Sequence, residues 1–263
     1  MTRNVLVPVD GGPLGIETVE HAIETFPDSE LMLLYVIDPR YTAADDDELH
    51  PDRLFSDLVD LAEQRRISVR TETRVGHPGR EIVEYCDTND VDEIVIGSHG
   101  KDHDARILLG SVAKRVTRRA PVPVTIVRPN QRHGSLHSLV ALDHSEQSQK
   151  ALEYALANFP DTELTILHVV ESRGRHRESA DEAAALVADA REKALDHGVE
   201  VRAVSEDRGE MKPARAVLDY VIANDVDHVI VGSHGRSGAS RILLGSVAES
   251  ISRRSPVPVT VVR

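Results

Sequence analysis

The sequence predicts an α/β fold, a doubly wound parallel sheet of five strands, occurring twice along one chain of 263 residues. Three observations predict it. Short apolar runs rich in β-branched residues alternate with stretches of helical period. The apolar residues of those runs stand consecutively, which marks parallel strands covered on both faces. The second half of the chain also retraces the first at an interval long enough for a whole domain.

The elements follow in order. Runs at 4–9, 31–37, 68–75, 93–97 and 121–128 are expected strands. Between the first two, Ile16, Val19, Ala22, Ile23 and Phe26 recur at helical spacing, as Ala151, Leu152, Ala155, Leu156 and Phe159 do in the copy. Pro78 and Pro213 stand where a third helix starts, the place at which a missing amide costs nothing. A last helix is expected from Ser111 or Ser246 to just before Pro121 or Pro256, with Ser246 to Glu249 reading as a capping box. The pattern is βαβαβαβαβ, twice.

The duplication is direct. Asn4–Asp10 aligns with His137–Asp143, and Phe26-Pro27-Asp28 with Phe159-Pro160-Asp161. From Gly97 to Arg128 and from Gly232 to Arg263 about two-thirds of positions are identical. The expected domains are 1–129 and 136–263, joined by a polar stretch containing Pro129 and Gly134.

Composition excludes several classes. With 40% hydrophobic residues and no apolar run near ~18 residues, the chain has material for a core and none for a membrane-spanning helix. Its start, Met1-Thr2-Arg3-Asn4, lacks a basic head and an apolar leader, so a cytoplasmic protein is expected. Cys86 is the only cysteine, which rules out an intrachain disulfide and reads as a buried apolar residue. A net charge of −13 opposes binding to nucleic acid or an anionic membrane. Only five of the 31 basic residues are lysine, and an acidic, lysine-poor surface suits a salt-rich, halophilic cytosol.

In open parallel sheets ligands sit beyond the carboxyl ends of the strands where the winding reverses, between β1 and β4 if the order is 3-2-1-4-5. There the chain reads Gly97-Ser98-His99-Gly100, nine residues, Gly110-Ser111, and again Gly232-Ser233-His234-Gly235, nine residues, Gly245-Ser246. Glycines three apart bring backbone amides close to a ligand, and the Gly-Ser pair delivers the chain into a helix N-terminus suited to phosphate. Asp10 or Asp143, closing β1 or its copy, offers an acceptor for a ribose hydroxyl. Among the histidines, His99 and His234 beside the phosphate position are candidate polar lids, whereas His99 and His103, four apart on a loop without a third ligand, do not make a metal site. Asp45-Asp46-Asp47-Glu48 reads as a solvated acidic turn.

The Gly-x2-Gly-x9-Gly-Ser spacing, the aspartate closing β1 and the terminal Pro-Val-Pro-Val strand resemble the ATP-binding branch of the universal stress protein family, over nearly the whole chain, twice. The resemblance implies the Rossmann-like fold of the adenine nucleotide alpha hydrolases. It implies that Gly97, Gly100, Gly110 and Ser111, and in the copy Gly232, Gly235, Gly245 and Ser246, hold phosphates and ribose. It further implies that Asp10 and Asp143 meet the adenosine and that the backbone of Val36 and Val169 meets adenine. The cofactor implied is ATP, or ADP or AMP. The halves differ: Gly11-Gly12-Pro13 faces His144-Ser145-Glu146, and Asp102 and Asp104 in the first spacer have no counterpart in the second. Two added carboxylates beside a triphosphate call for a divalent ion such as Mg²⁺, so the second site is expected to be the tighter and metal-independent one. In the family the proline-bearing strands pair domains, which implies an internal pseudo-dimer and allows a homodimer, with an unidentified protein partner reading the nucleotide state. The function expected is regulatory nucleotide binding, because no Gly-x4-Gly-Lys-Ser/Thr loop or nucleophile elbow is present. A slow ATPase and a nucleotide-free dimerisation scaffold are the alternatives.

Overall fold

The computed structural model describes residues 2–40, 51–100, 109–129, 136–170, 177–235 and 244–263. They fall in two compact units, Met1–Gly134 and Ser135–Arg263. The first runs β1 (Arg3–Val9), α1 (Pro13–Thr25), β2 (Ser29–Ile37), α2 (Pro51–Gln64), β3 (Ser68–Val75), α3 (Pro78–Thr88), β4 (Glu93–Gly97), α4 (Ser111–Arg119) and β5 (Val124–Val127). The second runs β6 (His137–Leu142), α5 (Glu146–Asn158), β7 (Glu163–Val170), α6 (Ala180–Asp196), β8 (Val201–Asp207), α7 (Pro213–Ala223), β9 (His228–Gly232), α8 (Ser246–Arg254) and β10 (Val259–Val262).

Within the first unit the strands lie in the order β3-β2-β1-β4-β5, all parallel. Within the second the order β8-β7-β6-β9-β10 repeats this arrangement, again all parallel. Winding therefore reverses between β1 and β4, and between β6 and β9, as the sequence predicts.

Strand periodicity sorts the apolar residues onto two faces. In the first unit Val5, Val7 and Val9 pack with Leu14, Val19, Leu58 and Ala62 under α1 and α2, while Leu6 packs with Met32, Ile82 and Val116 under α3 and α4. The second unit divides likewise, Val140 and Leu142 joining Leu152, Ala155 and Leu186, and Leu139 joining Val217, Val221 and Ile251. Burying both faces is what forces the consecutive apolar runs of β1, β4, β6 and β9.

Four local expectations are corrected. β3 is not covered on both faces: its residues are exposed or half-buried, because only β2 flanks it within the unit and Arg70, Glu72 and Arg74 carry charge along it. Ile16 is not part of the α1 core stripe; it is 50% exposed, and Leu14 takes its place against the sheet. The last strands begin at Val124 and Val259, so the two prolines of each Pro-Val-Pro-Val run precede or flank the ladder and never have to donate within it. Finally, Ser246 is the first helical residue and the N-cap is Gly245, without a side-chain cap; the capping box sits instead at Ser179 and Glu182, ahead of α6. The acidic run 45–48 lies outside the described residues.

Glycine at the end of β4 and β9 admits the following layer. A Cβ on Gly232 would lie 2.6 Å from the carbonyl carbon of Gln147 in α5, whereas one on Gly97 would meet side chains, Leu14 at 3.0 Å and Thr18 Oγ1 at 3.3 Å. Backbone cannot step aside as a leucine can. Gly232→Ala is therefore expected to destabilise the second unit by about 1–3 kcal/mol, with a smaller loss for Gly97→Ala, read as separate midpoint shifts in urea titrations.

Candidate functional site

Each site grows from the carboxyl end of the first strand of its unit. In the second unit β6 ends at Leu142 and the next residue, Asp143, turns its carboxylate across the crevice. Its Oδ1 accepts from the Ser145 amide at 2.9 Å and from the Ser145 hydroxyl. Ser145 is also the N-cap of α5, accepting from the Ser148 amide, and Ser148 Oγ accepts from the Asp143 amide at 3.1 Å. In the first unit the Gly12 amide takes the place of Ser145, donating to Asp10 Oδ1 at 2.9 Å, and the turn is made by Gly11 at φ 76°. Two different sequences hold the same carboxylate.

The opposite wall is the loop after β4 or β9. The Ser98 and Ser233 amides continue the strand ladder, donating to Val127 O at 2.8 Å and Val262 O at 2.7 Å. The chain then leaves, and on its return the Gly110 and Gly245 amides donate to Ser98 O and Ser233 O, both at 2.8 Å. Neither α4 nor α8 has a side-chain cap, so the first amides of each helix and the positive end of its dipole are presented at the end of the sheet. Gly100 and Gly235 face the aspartates across this gap. A Cβ at Gly235 would sit 2.9 Å from Asp143 Oδ2, and one at Gly100 would collide with Asp10 Oδ2. His99 and His234 turn Nδ1 to the neighbouring Ser98 and Ser233 hydroxyls at 3.0 Å.

The third wall is a main-chain overhang. The β1–β2 register ends at Val9↔Tyr35 and the β6–β7 register at Leu142↔His168, so Val36 and Val169 each stand one step past their inner neighbour while still paired on the outer side.

In the second unit these walls enclose a cleft of about 240 Å³. All seven residues expected there line it: Asp143, Val169, Gly232, His234, Gly235, Gly245 and Ser246. The sequence did not single out its apolar floor, Leu142, Leu167, Val217 and Val231, or Pro213 at the head of α7. Those residues read as ordinary core. In the first unit Asp10, Val36, Gly97, His99, Gly100, Gly110 and Ser111 occupy the matching places on β1, β2, β4 and α4. His103 and both added aspartates, Asp102 and Asp104, lie outside the described residues.

A second grouping escaped sequence reading altogether. His144, His168 and Glu178 bring one ligand-type atom each within 4.8 Å of one another. They come from three segments with no shared motif.

Compared with family models, residues 1–128 and 137–263 each match the one described as the Universal stress protein family. A universal stress protein of Mycobacterium tuberculosis is 32% identical over 235 residues, spanning 80% of this chain and 76% of that protein. One from Methanocaldococcus jannaschii is 33% identical over 139 residues, 48% of this chain and 82% of its own length. The crystal structure of a universal stress protein from Archaeoglobus fulgidus superposes with a TM-score of 0.71 at 26% identity, covering 99% of this chain and 98% of that one.

The single thiol stands apart from these sites. Cys86 is buried on α3, and burial, with the Asp87 charge adding to it, pushes its pKa up to about 12. At pH 8 almost no thiolate then exists in the folded protein. A disulfide reagent at that pH is expected to label Cys86 quickly in denaturant and at least about 100-fold more slowly in the native state; fast native labelling would contradict the burial.

Proposed function

The chain belongs to the universal stress protein family, and from that premise we propose that it binds an adenine nucleotide at the carboxyl end of each unit's sheet. One observation carries the reading: Asp143, Val169, Gly235, His234, Gly245 and Ser246 line a single cleft at the reversal of winding. Each wall then has a chemical role. The uncapped start of α8 and the Gly245 turn receive phosphate, since backbone amides and the helix dipole both favour an anion. Asp143, already oriented by Ser145, accepts from ribose hydroxyls. The overhanging main chain at Val169 supplies the donor and acceptor that an adenine edge requires, above an apolar floor on which the base rests. In the first unit Asp10, Val36, Gly100, Gly110 and Ser111 fill the same roles.

The role is regulatory. Asp10 and Asp143 are tied to their own turns, which suits holding a sugar and not activating water. Nucleotide occupancy stiffens the glycine loops and alters what the surface binds. The acidic, arginine-weighted composition fits a salt-rich cytoplasm.

Isothermal titration with ATP, ADP and AMP, with and without Mg²⁺, tests the assignment. Native protein is expected to bind, and Gly235→Val to weaken the tighter, Mg²⁺-independent event by about 100-fold or more, because the side chain would fill the gap to Asp143. Gly100→Val is expected to remove a weaker event that needs Mg²⁺. Absence of binding to native protein at millimolar nucleotide rejects the reading, and equal losses from the two variants reject the difference between sites. Steady phosphate release over hours would make the protein a slow ATPase instead.

A further inference from the structure

We propose that His144, His168 and Glu178 form a binding site in the second unit for a divalent transition-metal ion of the zinc class. His144 lies in the turn between β6 and α5, His168 on β7, and Glu178 one residue before the N-cap of α6. The His168 and Glu178 side chains are 1% and 3% exposed, while that of His144 is 40% exposed.

One ligand-type atom from each of the three side chains lies within 4.8 Å of the others. His168 Nδ1 is 2.9 Å from the Leu142 carbonyl oxygen, which only accepts, so Nδ1 carries a proton. In the neutral ring Nε2 then holds a lone pair, aimed at Glu178 Oε2 from 2.8 Å. A contact this short needs a positive charge between the two atoms, either a proton on Nε2 or a metal ion in its place. The second oxygen of the same carboxylate lies 2.6 Å from His144 Nε2, so two imidazoles converge on one anion in a buried place. A histidine that donates its other N–H to a backbone carbonyl is how proteins orient a metal-ligating ring. Two imidazoles and a carboxylate suit zinc, with the remaining position on the open side at His144. Tetrahedral coordination at about 2.1 Å places ligand atoms roughly 3.4 Å apart, so an ion would spread the two imidazole–carboxylate contacts, 2.6 and 2.8 Å, by under an ångström each.

The duplicated fold supplies an internal comparison. Aligning Asp10 with Asp143 and Val36 with Val169 puts Gly11 and Tyr35 where the second unit has His144 and His168. The first unit builds the same sheet without either histidine, so the pair is not a requirement of the fold. It adjoins the cleft without lining it: Leu142, Asp143 and Val169 face the cleft, and His144 and His168 are their chain neighbours.

The test uses the full chain, untagged, stripped with EDTA and free of nucleotide, titrated at pH 7.5 with Zn²⁺ by calorimetry and with Co²⁺ by visible absorption. The expected result is one tight ion per chain, micromolar or better, with the intense visible bands of four-coordinate cobalt. Binding should weaken as pH falls below about 6.5, where imidazole takes up protons in competition. His144→Ala, in an exposed turn, and Glu178→Gln, which keeps the shape, should each weaken binding by about 10-fold or more. His197→Ala, exposed beyond α6, should leave it unchanged. No ion bound at 100 μM Zn²⁺ overturns the proposal, as does binding that survives both ligand substitutions; should Glu178→Gln fail to fold, His144→Ala alone decides.

Discussion

A main-chain hydrogen bond, present once in each unit, governs the chemistry of this molecule. The Gly110 amide closes on Ser98 O and the Gly245 amide on Ser233 O, so a chain that has left the end of a strand returns to that same end before it coils. The approach is close: a Cβ on Gly110 or Gly245 would lie 3.3 or 3.2 Å from the preceding histidine Cα. Because that bond fixes where α4 and α8 start, their first amides gather beside the aspartate arriving from the neighbouring strand. An anion-attracting helix end and an anionic side chain thus share one crevice, an arrangement that favours ligands negative at one end and rich in hydroxyl donors at the other.

Around this frame the two units have reached the same carboxylate geometry by different means. Gly11, in the left-handed region, and the Gly12 amide do for Asp10 what the Ser145 hydroxyl and amide do for Asp143. The glycine solution leaves the helix start without a side-chain cap; the serine solution caps α5 and ties Asp143 to the helix at once. A hydroxyl at an N-cap stabilises by about 1 kcal/mol, so the second turn is the stiffer of the two. That turn also carries His144, one of the three proposed metal ligands.

Sequence reading succeeds where one local requirement admits few residue types. Strands covered on both faces are apolar at nearly every central position, and so β1, β4, β6 and β9 are plain from their runs. Gly100, Gly110, Gly235 and Gly245 are legible because close backbone approach excludes Cβ at fixed spacings. It fails where the requirement is set by neighbours distant in the chain. β3 departs from the both-faces pattern because one flank has no partner strand within its unit, and its central Arg70 to Arg74 are the polar residues that fit such an edge. Ser246 looks like a cap, yet the returning Gly245 has already taken that position. Glu178 meets residues 34 and 10 positions away, separations that belong to no motif and become adjacent only when β6, β7 and the lead into α6 are folded together.

The bonds from the Ser98 amide to Val127 and from the Ser233 amide to Val262 have a temporal meaning. In each unit the glycine loop is stitched to the final strand, the element that leaves the ribosome after all others of that unit. A nascent unit possesses its aspartate and its early glycines long before it has a closed crevice. A small molecule bound there would require the whole unit to have been translated and docked, and would in turn draw the folding equilibrium toward completion.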